Sequence, residues 1–442
     1  MTAAIDKSCA RFGPIWLVRG VSAWNFATLL YAAFFAIGLL TYVGSGTPYV
    51  MTAMLHIPAE NQGVVTGQLV LWTEIVSIAL FGPVGMLADR YGRKNLFAAG
   101  FALMGIGYAL HPLVTSVSML VLARIIYATG TAVCTGALGT VVTDYPQERT
   151  RGWAVAISGF FNGLGVALLN FMLGGLPRRL QAMGYDDVVA GTYTHWFVAS
   201  LCFLSAVVIF FGLKGGTPAG ASEEHNLIKI GKTALRHMRN PRIALAFAAA
   251  FVARGDLVIL GSFLVLWGKN AGLENGLDLP TASRAGTLIF VTATSAALLW
   301  TLVIMFLLDR FNRVTMLAAC LAIASAGFLG MGFVTDPLAS ADKPLIALLG
   351  IGQISAFFGS MSLLGQEAPV NERGTIIGGF NIAGALGIAF VSGVGGYLFD
   401  AFSPKAPFVM VGVLNGFVML AAILVRKWAP GAAALGEPAR AT

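Results

Sequence analysis

The chain has 442 residues, of which 57% are hydrophobic and 11% charged, with 54 Gly and 17 Pro. That is about half the charged share of a soluble domain, which excludes a soluble enzyme. The net charge of +8, from 28 Lys and Arg against 20 Asp and Glu, comes with no basic face interleaved with aromatics, so it argues against a nucleic-acid partner and reads as a topology signal.

Apolar runs of roughly 20 residues, long enough to cross hydrocarbon, recur along the whole chain. Lys7, Arg11 and Arg19 precede the first run, which has no small-residue cleavage site and reads as a retained span. Spans are predicted at 22–54, 66–87, 95–112, 117–142, 153–174 and 194–213. A polar segment, 214–242, carries I-K-I-G-K-T-A-L-R-H-M-R, whose spacing suggests a surface helix with Ile228, Leu235 and Met238 toward lipid and Lys232, Arg236 and Arg239 outward. Six more spans follow, at 243–267, 285–308, 314–334, 344–366, 375–399 and 406–426. The expectation is an all-α membrane protein of twelve helices, with residues 1–213 and 243–442 forming two six-helix bundles.

Lys and Arg on alternate sides of this layout number 20 against 6, with Lys269 and Arg284 assigned to outer loops and two more cations inside spans. The excess places both termini in the cytoplasm. Cys9, Cys134, Cys202 and Cys320 are scattered, supporting neither a disulfide framework nor a metal site. G-M-L-A-D-R-Y-G-R-K at 85–94 recurs as M-F-L-L-D-R-F-N-R-V at 305–314, and R-G-W-A-V-A at 151–156 as R-G-T-I-I-G at 373–378. Two matches at nearly one offset indicate a duplicated six-span unit.

Gly85, Asp89, Arg90, Gly92, Arg93 and Lys94, at the turn between spans two and three, resemble the signature loop of the major facilitator superfamily. Asp309, Arg310 and Arg313 supply its degenerate copy, and Arg124, Gly130, Asp144, Pro146, Arg149 and Gly152 extend the resemblance. Physically, Gly85 permits close helix approach, Asp89 offers a carboxylate to a helix N-terminus or a cation, and Arg90, Arg93 and Lys94 meet anionic headgroups. Such contacts suit a cytoplasmic gate, to which Asp144, Asp309, Arg310 and Arg313 also belong, with Gln366, Glu367, Glu372 and Arg373 as an analogous latch. Span five reads G-F-F-N-G-L-G-V-A from Gly159, without the Gly-Pro pair usual in proton-driven drug exporters of that superfamily, which demotes multidrug export.

Four ionisable residues fall inside hydrocarbon: Glu74, Arg124, Arg254 and Asp256. A lone charge there costs at least about 2.5–3.5 kcal/mol, so each should face the bundle interior or a watery cavity. Helix rise places Glu74 and Asp256 at similar heights, roughly 22 Å from the cytoplasmic end, with Arg124 able to reach the same layer. Arg254 and Asp256 point about 200° apart on an unbroken helix, so either Gly255 distorts it or the two bond to different neighbours. Asp256 or Glu74 is the candidate proton carrier; a fixed salt-bridge network and an outer gate are the other readings of the set.

The resemblance implies a central cavity lined by spans one, four, seven and ten, which nominates Asn25, Tyr31, Tyr42, Arg124, Arg254, Gln353 and Ser360 as substrate-binding, with Asn162, Asn381 and Trp300 as weaker candidates. Two buried arginines favour a small organic anion or polar metabolite, carried by alternating access and coupled to protons. The alternatives are proton-driven export of amphipathic or cationic compounds and a transporter-like sensor or scaffold that does not translocate. No H-E-x-x-H, G-x-S-x-G or nucleotide fingerprint in a strand context is present, so neither an enzyme nor a cofactor is expected. Expected partners are a small-molecule substrate, protons and membrane lipids. Short loops and the lack of an N-x-S/T sequon suit a bacterial inner membrane.

Overall fold

The computed structural model describes residues 6, 8–215, 233, 235–369 and 372–429, apart from the side chains at positions 81, 89, 309, 373 and 374. The gate candidates Asp89 and Asp309 and the latch residue Arg373 thus lie, by their side chains, outside the described residues. So do Ile228, Lys232 and most of the predicted surface helix, of which Leu235 and Met238 are seen exposed.

Helices dominate, and their ends follow local chemistry. A short hairpin, β1 (Arg11–Phe12) and β2 (Ile15–Trp16), precedes α1 (Ala23–Ala53), which starts on a capping box between Ser22 and Asn25. Next come α2 (Gln62–Tyr91), α3 (Arg93–Leu110), α4 (Val117–Asp144), α5 (Arg151–Leu173), the short α6 (Leu176–Ala182) and α7 (Asp187–Gly212). Ser116 caps α4 and Asp186 caps α7, each side-chain oxygen accepting an amide three residues on.

The second half opens with α8 (Pro241–Val258), capped by Asn240 with Pro241 in its first turn, where a missing N–H costs nothing. A π-helical turn, Ile259–Phe263, joins it without a break to α9 (Leu264–Glu274). Then follow α10 (Leu279–Arg310), α11 (Arg313–Gly330), α12 (Lys343–Glu367), α13 (Arg373–Ala401) and α14 (Ala406–Trp428). Counting α8 through α9 as one, 12 of the described segments are long and apolar enough to cross a membrane, and the protein is an integral multi-pass membrane protein.

Two departures from the sequence reading bear on the site. The seventh span runs to Glu274, so Lys269, assigned to an outer loop, is a fully buried helical residue, and Arg284 likewise sits within α10. Moving Lys269 out of the loop count only widens the charge asymmetry. The chain also forms two compact units that part company with the predicted division inside α2: unit 1 comprises Met1–His56 and Ile75–His225, unit 2 comprises Ile57–Glu74 and Asn226–Thr442.

Unit 1 is built round α1, whose small residues admit α5, and has Phe26, Phe97, Phe101, Tyr108 and Tyr127 among its fully buried side chains. Residues 16–18 lie across the α4–α5 turn: Val18 donates to the Tyr145 carbonyl at 2.9 Å, Gln147 N to the Trp16 carbonyl at 2.8 Å, and Gln147 Nε2 to the Leu17 carbonyl at 2.8 Å. In unit 2, α8 packs against α12 and α13 round Phe247, Ile376 and Phe380.

Candidate functional site

Unit 2 holds three of the four charges predicted inside the membrane, Glu74, Arg254 and Asp256, and Lys269 besides. α8 is regular through Arg254 and Asp256, so the two side chains diverge as their spacing requires, and Gly255 serves close approach instead: a Cβ there would stand 2.6 Å from Val391 Cγ2. Arg254 Nη2 donates to Asn381 Oδ1 at 3.1 Å, and its guanidinium lies 5.3 Å from the centre of the Phe357 ring. Gly384, one turn from Asn381 on α13, leaves room for the stem, since a Cβ there would meet Arg254 Cγ at 2.5 Å. Glu74, half-buried on the α2 segment of this unit, is close enough to interact electrostatically with Arg254. The buried Arg254 Nε has no partner among the described residues.

This arrangement can hold an anion. Asn381 fixes one edge of the guanidinium and Phe357 one face, leaving a donor aimed elsewhere, and Glu74 supplies a counter-charge that an incoming anion would have to displace. Gln353 and Ser360 share the Phe357 face of α12 and are buried; Ser360 Oγ donates to the Phe357 carbonyl at 2.8 Å. Trp300 donates from Nε1 to Ser355 Oγ at 2.8 Å, tying α10 to α12.

Asp256 points the other way, wholly buried, and accepts from Asn415 Nδ2 of α14 at 3.2 and 3.4 Å. Asn415 was not singled out from the sequence, although it is the single amide in an otherwise apolar span. The missed Lys269 donates from Nζ to Gln62 Oε1 at 2.5 Å.

In unit 1, Arg124 is buried on α4, with Nη1 3.5 Å from Thr47 Oγ1 and its guanidinium 5.3 Å from the Tyr127 ring centre. Tyr42 is buried beside Tyr108 and His195. His195 and His111 stack with planes 7° apart and centroids 6.1 Å apart, each holding Nδ1 against the carbonyl four residues back. Sequence reasoning passed over both histidines because each lies at the edge of a predicted span.

Three further substrate candidates, Asn25, Tyr31 and Asn162, lie in unit 1. Asn25 Oδ1 accepts the Ser22 amide at 2.9 Å and its Nδ2 donates to the Gly212 carbonyl at 2.7 Å, so its polar atoms cap α1 and bind it to α7. Tyr31 OH is 3.0 Å from Ser205 Oγ of α7. Asn162 Oδ1 on α5 is buried without a partner among the described residues.

On the side bearing the 85–94 loop, Arg93 at the start of α3 is ion-paired with Asp144 at the end of α4. Gly92, at φ 84°, makes the turn between α2 and α3. Arg310 lies over the Phe306 ring at 4.1 Å, and Arg313 donates to the Leu308 carbonyl. Glu367, at the α12 end, pairs instead with Arg242 at 2.9 Å.

Comparison with known proteins places these features. Over 401 residues the chain is 28% identical to the magnetosome protein MamH of Paramagnetospirillum magneticum, covering 88% of this chain and 89% of that one. It is 23% identical to the 3-(3-hydroxy-phenyl)propionate transporter of Escherichia coli, covering 76% and 80% respectively. The crystal structure of the nucleoside transporter NupG superposes with a TM-score of 0.69 at 14% identity, covering 91% of this chain and 98% of that one, which is a likeness of fold. The family model described as Major Facilitator Superfamily matches residues 69–392, most of the chain and both repeats, and the protein belongs to that superfamily.

Proposed function

We propose that the protein is a secondary active transporter that moves a small organic anion by alternating access, coupled to protons. The observation that carries this reading is Arg254: a half-buried guanidinium oriented by Asn381 and Phe357, with a buried donor that has no partner among the described residues and the Glu74 carboxylate as its resident counter-ion. A carboxylate substrate can take the guanidinium only as Glu74 gives it up, and protonation of Glu74 releases it without leaving a buried negative charge. Exchange of one anion for another at Arg254 would thereby tie substrate binding to proton binding. Asp256, held by Asn415 away from Arg254, is the weaker candidate for proton carrier. The name of the E. coli relative, an aryl-propionate transporter, is in keeping with a carboxylate cargo. The abundance of cations on the side of the 85–94 loop supports a cytoplasmic position for that side and both termini in a bacterial inner membrane.

The purified protein would be screened by thermal shift with a panel of small carboxylates and their neutral amides at pH 5.5 and 7.5, followed by counterflow in liposomes for each stabilising compound. The expected result is stabilisation by carboxylates only, lost in Arg254→Met, and a pH dependence lost in Glu74→Gln. Equal stabilisation by the amides, or undiminished binding by Arg254→Met, would overturn the assignment.

A further inference from the structure

Unit 1 carries a crevice of about 390 Å³, lined by Phe12 of the N-terminal hairpin, Ala27, Leu30, Tyr31, Phe34 and Phe35 of α1, and Phe161 of α5. The α1 residues fall at i, i+3, i+4, i+7 and i+8 and so form one stripe. The one side-chain polar group in the lining, the Tyr31 hydroxyl, is within hydrogen-bond distance of Ser205. The rest of the wall is apolar, so the space suits an apolar occupant.

Its position in depth is also defined. α1 begins at Ala23, so the stripe from Ala27 to Phe35 runs from about 6 to about 18 Å along the helix, roughly the depth of one bilayer leaflet. Toward its deep end α1 and α5 meet backbone to backbone: a Cβ on Gly165 would stand 2.0 Å from the Phe34 carbonyl oxygen, and one on Gly38 would stand 2.6 Å from the Gly165 carbonyl oxygen. At its shallow end Phe12 packs on Phe26, with ring centres 5.2 Å apart.

Cations gather at the shallow end. Lys214, just past α7, donates from Nζ to the Arg19 carbonyl at 3.2 Å, which sets its ammonium immediately before α1. Arg19 is exposed there, and Arg11, next to Phe12, donates from Nε to the Gly13 carbonyl and lies 5.4 Å from the Trp16 ring centre. Asp6, close enough to Arg19 to interact electrostatically, accepts from the Ser8 amide and hydroxyl.

We propose that this crevice is a binding site for one anionic glycerophospholipid, with an acyl chain along the α1 stripe and the phosphate against Lys214 and Arg19. A single leaflet's depth of aromatic wall takes a chain, and the basic mouth selects the head. The crevice is lined by unit 1 residues alone, whereas Arg254 belongs to unit 2.

The full-length protein would be purified and examined by native mass spectrometry with phosphatidylglycerol, phosphatidylcholine and inorganic phosphate as probes. Wild type is expected to retain phosphatidylglycerol in preference to phosphatidylcholine and to be indifferent to phosphate. Arg19→Ala and Lys214→Ala should each reduce that preference roughly fivefold, as about 1 kcal/mol per basic residue implies. Leu30→Trp, which fills the crevice, should abolish retention of both lipids; if it folds poorly, Ala27→Leu fills the mouth with a smaller change. Equal retention of the two lipids, displacement of phosphatidylglycerol by phosphate alone, or unchanged retention in a folded filling variant would overturn the proposal.

Discussion

Asp400, near the end of α13, caps the amide of Gly63 at the start of α2: its Oδ1 accepts that N–H at 2.8 Å, while Oδ2 accepts the Val64 N–H at 2.7 Å. A carboxylate in this place satisfies two of the orphan donors that open any helix and meets the positive end of its dipole. The fit requires glycine, because a Cβ at position 63 would stand 2.4 Å from Asp400 Oδ1. This cap is one reason the first part of α2 belongs to unit 2.

Removing the cap should therefore loosen α2. Asp400→Ala is expected to cost about 0.5–2 kcal/mol, the usual range for a lost N-cap, and Asp400→Asn less, since one acceptor remains. Gly63→Val should cost at least as much as Asp400→Ala while leaving the carboxylate in place. Thermal unfolding in detergent reads all three, and a wild-type midpoint for Asp400→Ala would show that the cap carries no stability.

The Arg93–Asp144 and Arg151–Glu148 pairs differ in burial, and that difference ranks them. Arg93 and Asp144 side chains are 17% and 29% exposed, whereas Arg151 and Glu148 are 41% and 63% exposed. Exposed pairs are screened and commonly contribute under about 0.5 kcal/mol, while the better-buried pair should couple by about 1 kcal/mol or more. Double-mutant cycles with Arg93→Met and Asp144→Leu, against Arg151→Met and Glu148→Leu, measure both. Equal coupling energies would refute the ranking.

Most of this architecture could be read from the order of residues, because spans, repeat and loop charges are local or periodic signals. Where a span was misjudged, a local satisfaction was overlooked. The sixth span was expected to begin at 194 yet α7 begins at Asp187, since T-Y-T-H looks polar while Thr192 and Thr194 donate to the carbonyls of Val188 and Ala190 within the helix. The divergence of Arg254 from Asp256 follows from helical geometry alone. Their partners Asn381 and Asn415 lie 127 and 159 residues away, and no spacing rule points to them. Asn25 reads as a cavity amide or as an interhelical polar residue; its bond to the Gly212 carbonyl, 187 residues away, is likewise beyond any spacing rule.

Glu372 gives a pH-dependent contact on the side of the 85–94 loop. Arg236 donates to its Oε1 at 2.5 Å and His237 is paired with its Oε2. Arg236 first, and then His237, hold its carboxyl below the ordinary value of 4.5. For a lowered carboxyl the stabilising contribution is fully present above that value and fades as pH falls through the lower folded one. Hydrogen exchange at residues 235–240 should therefore be slow near neutrality after correction for intrinsic rates, and faster in Glu372→Gln. As pH falls through that lower folded value, wild type should approach the variant. Identical exchange in the two proteins at neutral pH would remove the contact as a restraint on this segment.

Lys269 offers the sharpest contrast between a surface residue and a buried one. In an outer loop, as its sequence context suggests, its replacement would change stability by no more than about 0.5 kcal/mol. The π turn at Ile259–Phe263 instead carries α9 onward as helix, and Lys269 is completely buried with Nζ on Gln62 Oε1. Lys269→Met then leaves a buried acceptor on α2 without its donor, a loss of about 1–3 kcal/mol. Gln62→Leu removes the acceptor and should cost a similar amount. Changing both takes away donor and acceptor together, so the double variant should be more stable than the two single losses predict, by about 0.5–3 kcal/mol. Chemical denaturation of the four proteins in one detergent supplies the cycle. Simple additivity would mean that the Lys269–Gln62 bond does not hold the start of α2 to α9, and a neutral Lys269→Met would return the lysine to the surface.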